Sequence, residues 1–365
     1  MNKKYYEKLK KTSEQMIIRD GQTISSVILD SPCRPIVSLL LMPYVGLYCK
    51  ESEEFYGRRV LDAEIDNQIT DLRNSIKVFC DKYGKTEKVF LQSDFEQDEY
   101  FKNLLMFDFT KSMDIHYNLG IYFDQDGHVI GDTQLINFYL KTVKMGDPEV
   151  NAKAYALGNA LGKSVARILM LAKQRPKRRR ISNDIDFSIG YIDCNSNNDS
   201  ALLGYSNKGL SLLLLHMLGT IGTCKYVIRK ILGEHEQWEY RCEYIIYHNI
   251  WTGLRIIESH FKQDKSADFD ISALSTLVDK GRSYFPSSYR NCMMHYRLVK
   301  DDEPSIKEEC YKPDIPLYGL VESCFNGISA NEYYAKLRDY INGVEVYLNS
   351  WFTFDFEKIC WDLEE

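Results

Sequence analysis

The sequence predicts a mainly α-helical protein, and three observations support that fold class. Apolar residues recur at intervals of three and four along most of the chain, which is the period of an amphipathic helix. Helix-capping residues stand at the ends of several of these segments. Only one stretch alternates as a β-hairpin does. We therefore expect a mostly helical N-terminal region at 1–180 with one β-hairpin, a polar linker or loop at 181–204, and an up-and-down bundle of four to five helices at 205–365.

The sequence of the N-terminal region predicts two long helices, one before the hairpin and one after it. Residues 53–83 carry one apolar stripe that predicts a single long helix ending at Gly84. Residues 113–131 alternate apolar and polar positions and predict the hairpin. A further helix is expected to begin at Pro148, a residue favoured at the first helical position, and to end before Pro176.

The second half predicts a succession of helices after residue 200. Gly233 separates the first two as a short helical hairpin, and Ser329 with Glu332 forms a capping box at the start of the last helix. Pro286 is expected to open the helix that carries the densest polar cluster. The expected helices span 209–232, 234–261, 271–280, 286–298, 318–325 and a final segment from 329 to 351.

Composition narrows the class of protein. The 365 residues include 46 Lys and Arg against 52 Asp and Glu, which gives a formal net charge of -6, and 44% are hydrophobic. These values exclude a disordered chain, a collagen-like repeat and a multi-pass membrane protein. The ten cysteines form no CxxC pair, and no apolar stretch reaches about 18 clean residues. We expect free thiols and a cytoplasmic location without membrane attachment.

A short basic run interrupts the acidic average. Six cations fall within eight residues, namely Lys173, Arg175, Lys177, Arg178, Arg179 and Arg180. One interpretation is a solvated helix end whose cations face the negative pole of the helix dipole. The other is an RNA-binding segment that contacts the phosphate backbone.

Most familiar catalytic signatures are missing from the sequence. It has no GxGxxG, P-loop, HExxH or GxSxG pattern. Cys292 and His295 have a C-x-x-H spacing but no second ligand pair, and the DQDG string at 124–127 lacks the other acidic positions of a calcium loop. We therefore expect neither a metal site nor a cofactor.

The cluster SSYRNCMMHY, residues 287–296, is the strongest candidate site. A helix turns about 100° per residue, so Asn291 and His295 share one face and Asn291 can hold the imidazole. Arg290 lies roughly 140° from His295 around the helix, and would reach the same pocket by curling round or by pairing with a second copy. The alternative is a structural one, in which His295 is a core histidine and Arg290 caps a neighbouring element.

The RNCMMH string at 290–295 resembles the hallmark of the HEPN superfamily, an Arg, a polar residue that is usually Asn or His, variable positions and then His. In that superfamily the motif lies on a late helix of a four- or five-helix bundle, after two long antiparallel helices and before another long one. Residues 205–355 have the same order of elements. The resemblance is nearest to the abortive-infection branches and leaves residues 1–180 without a role.

The resemblance implies a metal-independent endoribonuclease, often a toxin or antiviral defence effector, in which two copies pair through the bundle so that both motifs line one cleft. His295 would act as general acid or base, Arg290 would bind the phosphate, and Asn291 would orient the imidazole or the scissile phosphate. The partners implied are RNA, a second copy of the chain, and an antitoxin or regulatory protein. Tyr296 is a candidate to stack on an RNA base, with a packed core tyrosine as the alternative.

Two other functions stay open at the level of the sequence. Many HEPN domains are non-catalytic, so a helical module that binds RNA or a protein partner without cleaving is the first alternative. An unrelated helical interaction protein, with RNCMMH present by chance, is the second. A His295 buried among apolar side chains would favour this last interpretation.

Overall fold

The computed structural model describes residues 3–30, 35–59, 63–104, 116–140, 149–176, 188–198, 207–233, 236–263, 271–300 and 303–361. Over these residues the chain is mostly helical with a small antiparallel sheet, as the sequence predicts. The helices of the first half are α1 (Lys3–Asp30), α2 (Pro35–Tyr56), α3 (Ala63–Ser75), α4 (Tyr83–Asn103), α5 (Gln134–Tyr139) and α6 (Val150–Leu171).

The single helix predicted at 53–83 is wrong, because the chain breaks there twice. Gly57 takes a positive φ of 59°, a conformation that glycine adopts at little cost, and α2 ends before it. After α3 the chain turns at residues 76–80, and the amide of Lys77 donates to the carbonyl of Asn74. Gly84 does not end a helix but lies in the first turn of α4. Because the chain breaks on both sides of α3, this short helix and the turn after it can pack against the C-terminal helices.

The predicted hairpin is confirmed, and it belongs to a larger sheet. Strands β1 (Leu119–Phe123) and β2 (Val129–Asp132) pair antiparallel. Strand β3 (Gly190–Cys194) pairs with the other edge of β1, and the short β6 (Cys360–Trp361) extends the sheet beyond β3. The sequence predicts a polar linker or loop where β3 lies, because the segment is rich in polar, turn-forming residues. The strand was missed because its pairing partner β1 is distant in the chain. The segment 181–204 thus supplies a strand between the hairpin and the C-terminus.

The helices predicted in the second half are present, with changed ends. They are α7 (Lys208–Gly222), which continues through a π-helix at Thr223–Ile228 into α8 (Arg229–Leu232), then α9 (Gln237–Phe261), α10 (Ile271–Gly281), α11 (Ser287–His295), α12 (Leu320–Cys324) and α13 (Ala330–Asn349). Ser329 caps α13 by accepting from the amide of Glu332, as predicted. Helix α11 ends at His295 rather than at residue 298, because Tyr296 takes a left-handed φ of 51°. A small hairpin, β4 (Val299–Lys300) with β5 (Glu303–Pro304), follows.

One continuous apolar core joins the two halves. Helix α7 packs directly on β2, where a Cβ at Gly222 would lie 1.8 Å from the carbonyl oxygen of Val129. The stretch Lys208–Leu232 is the one helix within the described residues that is long and apolar enough to cross a membrane. Since 83% of its most apolar window is buried inside the molecule, its apolar surface is that of a core helix.

The same packing sets the frame of the candidate site. Helix α11 contacts both α9 and α2, and the turn after α3 lies on α9. The end of α11 is therefore surrounded by elements from both halves of the chain.

Candidate functional site

Helix α11 carries the three motif residues. They lie near the surface, where the two halves of the chain are in contact. Arg290, Asn291 and His295 are all half-buried, and the side chain of His295 is 27% exposed. His295 is thus not enclosed among apolar side chains. The Oδ1 of Asn291 accepts a hydrogen bond from Arg290 at 3.2 Å. The sequence predicts that Asn291 holds the imidazole, whereas in the structure Asn291 bonds to the guanidinium.

A buried carboxylate from the first half holds the imidazole instead. Glu51 lies on α2, its side chain is 2% exposed, and its Oε2 lies 2.6 Å from Nδ1 of His295. Its other oxygen accepts from Arg73 of α3 at 2.7 Å. Burial alone raises the pKa of Glu51, but the hydrogen bonds and charges of His295 and Arg73 outweigh that effect and lower the pKa below its ordinary value. Glu51 is therefore an ionised carboxylate that fixes the imidazole ring.

Lys77 is a cation whose charge acts on Arg290. It is half-buried in the turn after α3, and the charges of Arg290 and Glu51 both affect its pKa. Burial lowers the pKa of Lys77, and the neighbouring Arg73 and Arg290 lower it further. Residues of α3 and of the turn after it therefore lie near both motif side chains, since Arg73 shares Glu51 with His295 and Lys77 lies within electrostatic range of Arg290.

Helix α9 extends this cluster. His248 and Arg255 stand seven residues apart on α9, which places them on one face about 10 Å apart along the axis. Burial lowers the pKa of His248 to about 4, and the charges of Arg290, Arg255 and Lys77 act in the same direction. His248 is therefore neutral at pH 7. We name the set Glu51, Arg73, Lys77, His248, Arg255, Arg290, Asn291 and His295 the cleft network.

Tyr296 turns away from this network and into the core. It is 1% exposed, and its hydroxyl donates to Oδ2 of Asp20 at 2.5 Å. The guanidinium of Arg241 lies over its ring, 3.7 Å from the ring centroid. Stacking of Tyr296 on an RNA base does not fit this position, because the ring is enclosed; the alternative of a packed core tyrosine describes it.

The predicted basic run lies elsewhere, as far as it is described. Lys173 and Arg175 follow the end of α6 and are exposed, and the carbonyl of Arg175 accepts from Gln22 of α1 at 2.9 Å. The other four cations, Lys177, Arg178, Arg179 and Arg180, lie outside the described residues. The contacts of the described pair place them beside α1, not beside α11.

Two groups of side chains within the described part of the chain have ligand atoms close enough to hold a metal ion. At the end of α11, ligand atoms of Glu51, Glu54 and His295 lie within 4.8 Å of one another. Both carboxylates already have cationic partners, since Glu51 binds Arg73 and Glu54 binds Arg297. The second group is Asp124, Asp126 and His128 at the tip of the β1–β2 hairpin.

The hairpin group is better explained as a turn. Oδ1 of Asp124 accepts hydrogen bonds from the amides of Asp126 and His128 at 3.0 and 2.9 Å. Lys230 also lies 3.9 Å from Asp124. An aspartate that bonds to backbone amides a few residues on is typical of a tight turn. Its oxygens are occupied by these donors.

Comparison of the sequence and structure with protein-family models, curated proteins and solved structures finds no match. The assignment of function therefore depends on the cleft network. Sequence reasoning missed Glu51, Arg73, Lys77, His248 and Arg255, because none of them belongs to a motif with α11. Glu51 is 244 residues from His295 in the chain, so only the packing of α2 on α11 brings them together.

Proposed function

We propose that this protein is a metal-independent endoribonuclease of the HEPN type, with Arg290, Asn291 and His295 as its catalytic residues. One observation carries the proposal: Glu51 holds Nδ1 of a half-exposed His295, while Arg290 in the same cluster has no carboxylate partner among the described residues. An imidazole can transfer the proton, and a guanidinium without a carboxylate partner can stabilise the charge on the phosphate; cleavage of RNA by its own 2'-hydroxyl uses both. The helical order from α7 to α13 supports a bundle of the HEPN kind.

The chemistry uses the RNA's own nucleophile. Neutral His295 takes the proton from the 2'-hydroxyl through Nε2, and the 2'-oxygen forms a bond to the adjacent phosphorus. The bond from phosphorus to the 5'-oxygen breaks, which leaves a 2',3'-cyclic phosphate and a 5'-hydroxyl. The proton for the leaving oxygen comes from the imidazolium of this or of a paired copy.

The side chains around His295 divide the remaining work. Arg290 binds the phosphate oxygens as negative charge builds on them, through a planar guanidinium suited to two parallel hydrogen bonds. Glu51 stabilises the imidazolium that forms when His295 takes the proton, since its carboxylate lies against Nδ1. Asn291 accepts from Arg290 and so orients the guanidinium.

An RNase assay in EDTA tests the proposal. Wild-type protein is expected to cleave RNA, and Arg290→Ala and His295→Ala each to lower the rate by roughly 10²- to 10⁴-fold. Arg282→Ala is the matched control, because Arg282 is exposed and paired with Asp279 at 3.1 Å. Wild-type protein that leaves all RNAs intact, or motif variants as active as the control, refutes catalysis. RNA binding without cleavage would support the non-catalytic module instead.

The proposal includes two copies paired through the bundle, in the cytoplasm, as a toxin or antiviral effector under a regulatory partner. A mixing experiment tests the pairing. Arg290→Ala chains mixed with His295→Ala chains regain activity if one cleft takes Arg290 from one copy and His295 from the other. No gain on mixing means that each cleft uses both residues of one chain.

A further inference from the structure

The cleft network holds more positive than negative charge. Its cations are Arg73, Lys77, Arg255 and Arg290, and its carboxylate is Glu51, which Arg73 and His295 already bind. Lys77, Arg255 and Arg290 have no carboxylate partner among the described residues. This local excess contrasts with a formal net charge of -6 for the whole chain.

The backbone at Lys77 is fixed in place, although its ammonium has no carboxylate partner among the described residues. Asn249 of α9 donates from Nδ2 to the carbonyl of Ile76 at 2.9 Å, and the thiol of Cys80 donates to the carbonyl of Asn249. A Cβ at Gly253 would lie 3.2 Å from the carbonyl of Phe79, so α9 and the turn touch at that position. The turn at 76–80 is therefore clamped to α9, and from this turn the charge of Lys77 acts on Arg290.

Arg255 is held at the other end of the same face of α9. Its guanidinium lies over the ring of Trp251, 4.9 Å from the ring centroid. The indole of Trp251 is itself fixed, because its Nε1 donates to the carbonyl of Val278 at 3.0 Å. A guanidinium stacked on an aromatic ring keeps its in-plane N–H donors free for another acceptor. Arg255 is exposed and so accessible to a ligand.

Crowding like charges without counter-ions is costly, and a bound anion removes that cost. Burial is the larger cause of the lowered pKa of Lys77 and of His248. Repulsion adds to it, from Arg73 and Arg290 at Lys77 and from Arg290, Arg255 and Lys77 at His248. Phosphate oxygens accept charge-assisted hydrogen bonds from both Lys and Arg, which makes phosphate the anion that these donors suit.

We propose that Lys77, Arg255 and Arg290 bind successive phosphates of a single RNA strand that runs from His295 across the turn at 76–80 and along α9. This inference rests on the proposed function, and it assigns the N-terminal half of the chain a part in binding the substrate. Arg255 lies about 10 Å along α9 from His248, the residue of that helix whose pKa the charges of Arg290 and Lys77 also affect. Because a hydrogen bond spans about 3 Å, a strand with several phosphates suits this spread of donors.

Binding of a non-cleavable RNA tests the proposed path. A single-stranded RNA with 2'-O-methyl groups cannot react, and its affinity for the full chain is measured by fluorescence anisotropy over a range of salt concentrations. Lys77→Gln and Arg255→Gln are each expected to weaken binding roughly fivefold or more. Each should also reduce the slope of log affinity against log salt by about 0.7, the value for one phosphate contact on a single strand. Arg282→Gln should match wild type, and Lys77→Arg should restore the slope.

The outcomes separate this inference from the proposed function. Wild-type slopes for both Gln variants overturn the path along α9, even if unmodified RNA is cleaved in a manner dependent on His295. Binding of a nucleoside triphosphate without binding of RNA also overturns it, because a small ligand then occupies the cations. Reduced slopes together with no cleavage of unmodified RNA support the path and refute the catalytic proposal. Thermal melts of each variant show whether it is folded.

Discussion

Two networks of polar and charged side chains meet at the end of α11. Two consecutive residues there belong to different networks. His295 joins the cleft network, whereas Tyr296 joins a core network made of Asp20, Gln237, Arg241 and Tyr296. In the core network Asp20 accepts from Arg241 at 2.8 Å, from Gln237 and from Tyr296. Arg241 also donates to the carbonyls of Cys292 and Met293, which lie at the end of α11. One carboxylate thus faces one guanidinium there, and the charges balance.

The difference between the networks is one of balance and exposure. Asp20 and Arg241 are buried and paired, so their charges balance without a ligand. The cleft network has an excess of cations among its described residues at a half-exposed position, and the RNA phosphates that we propose would balance them. A buried, balanced pair indicates a structural role, and an exposed, unbalanced cluster indicates binding. The left-handed turn at Tyr296 separates the two environments.

The largest expected effect is on stability, from breaking the core network. Asp20→Ala leaves Arg241 buried without its carboxylate, and we expect the free energy of unfolding to fall by about 3–5 kcal/mol. Urea denaturation of both proteins measures the change. Glu51→Gln is the matched control from the cleft network, and its loss should be smaller because His295 and Arg73 keep some access to water. Equal losses for the two variants would remove the distinction between the networks.

Next in size is a pH effect on the cleft network. The pKa of His248 in the folded chain is about 4, below its ordinary value of 6.5, because the side chain is largely buried beside cations. As pH falls from 6.5 to 4, the unfolded chain takes up a proton that the folded chain does not, so stability falls over that window by ~3 kcal/mol. His248→Gln should lack this part of the loss. Denaturation at pH 7 and pH 4.5 checks it; parallel curves for both proteins would contradict it.

The sequence predicted what depends on local pattern. Short segments of sequence are enough to predict the apolar stripe and capping box of α13 and the alternation of the hairpin. The position of the motif on α11 is predicted for the same reason. The break of the predicted 53–83 helix was missed, because the apolar stripe continues through the turn at 76–80 and the positive φ of Gly57 leaves no mark in the periodicity.

The sequence does not predict which residues surround the motif. Glu51 reaches His295 only because α2 packs on α11, and the turn that carries Lys77 lies near the motif only because it is clamped to α9. Neither arrangement has a spacing signal in the sequence. His295 is half-exposed and Tyr296 is buried, and the left-handed φ angle of Tyr296 accompanies this change. Helical periodicity does not predict such a φ angle. Long-range packing therefore determines most of the site.

Glu51 offers a test of the cleft network that separates positioning from folding. Glu51→Gln removes the negative charge that fixes His295 and stabilises its imidazolium, so we expect cleavage to slow by roughly 10²-fold. Glu51→Asp should restore part of the rate, because it keeps the carboxylate. If Glu51→Gln and Glu51→Asp are equally slow and both unfold at a lower temperature than wild type, Glu51 acts only on the fold.

The smallest expected effect concerns the other carboxylate beside His295. Glu54 is 54% exposed and paired with an Arg297 that is 57% exposed, and such pairs contribute less than about 1 kcal/mol. Glu54→Gln should therefore leave the unfolding free energy and the cleavage rate in EDTA close to wild type. If Glu51, Glu54 and His295 instead hold a metal ion, the same substitution removes one of three ligands. If cleavage needs added Mn²⁺ and is lost in Glu54→Gln, the site is a metal centre. The interpretation in which a carboxylate holds the imidazole would then be wrong.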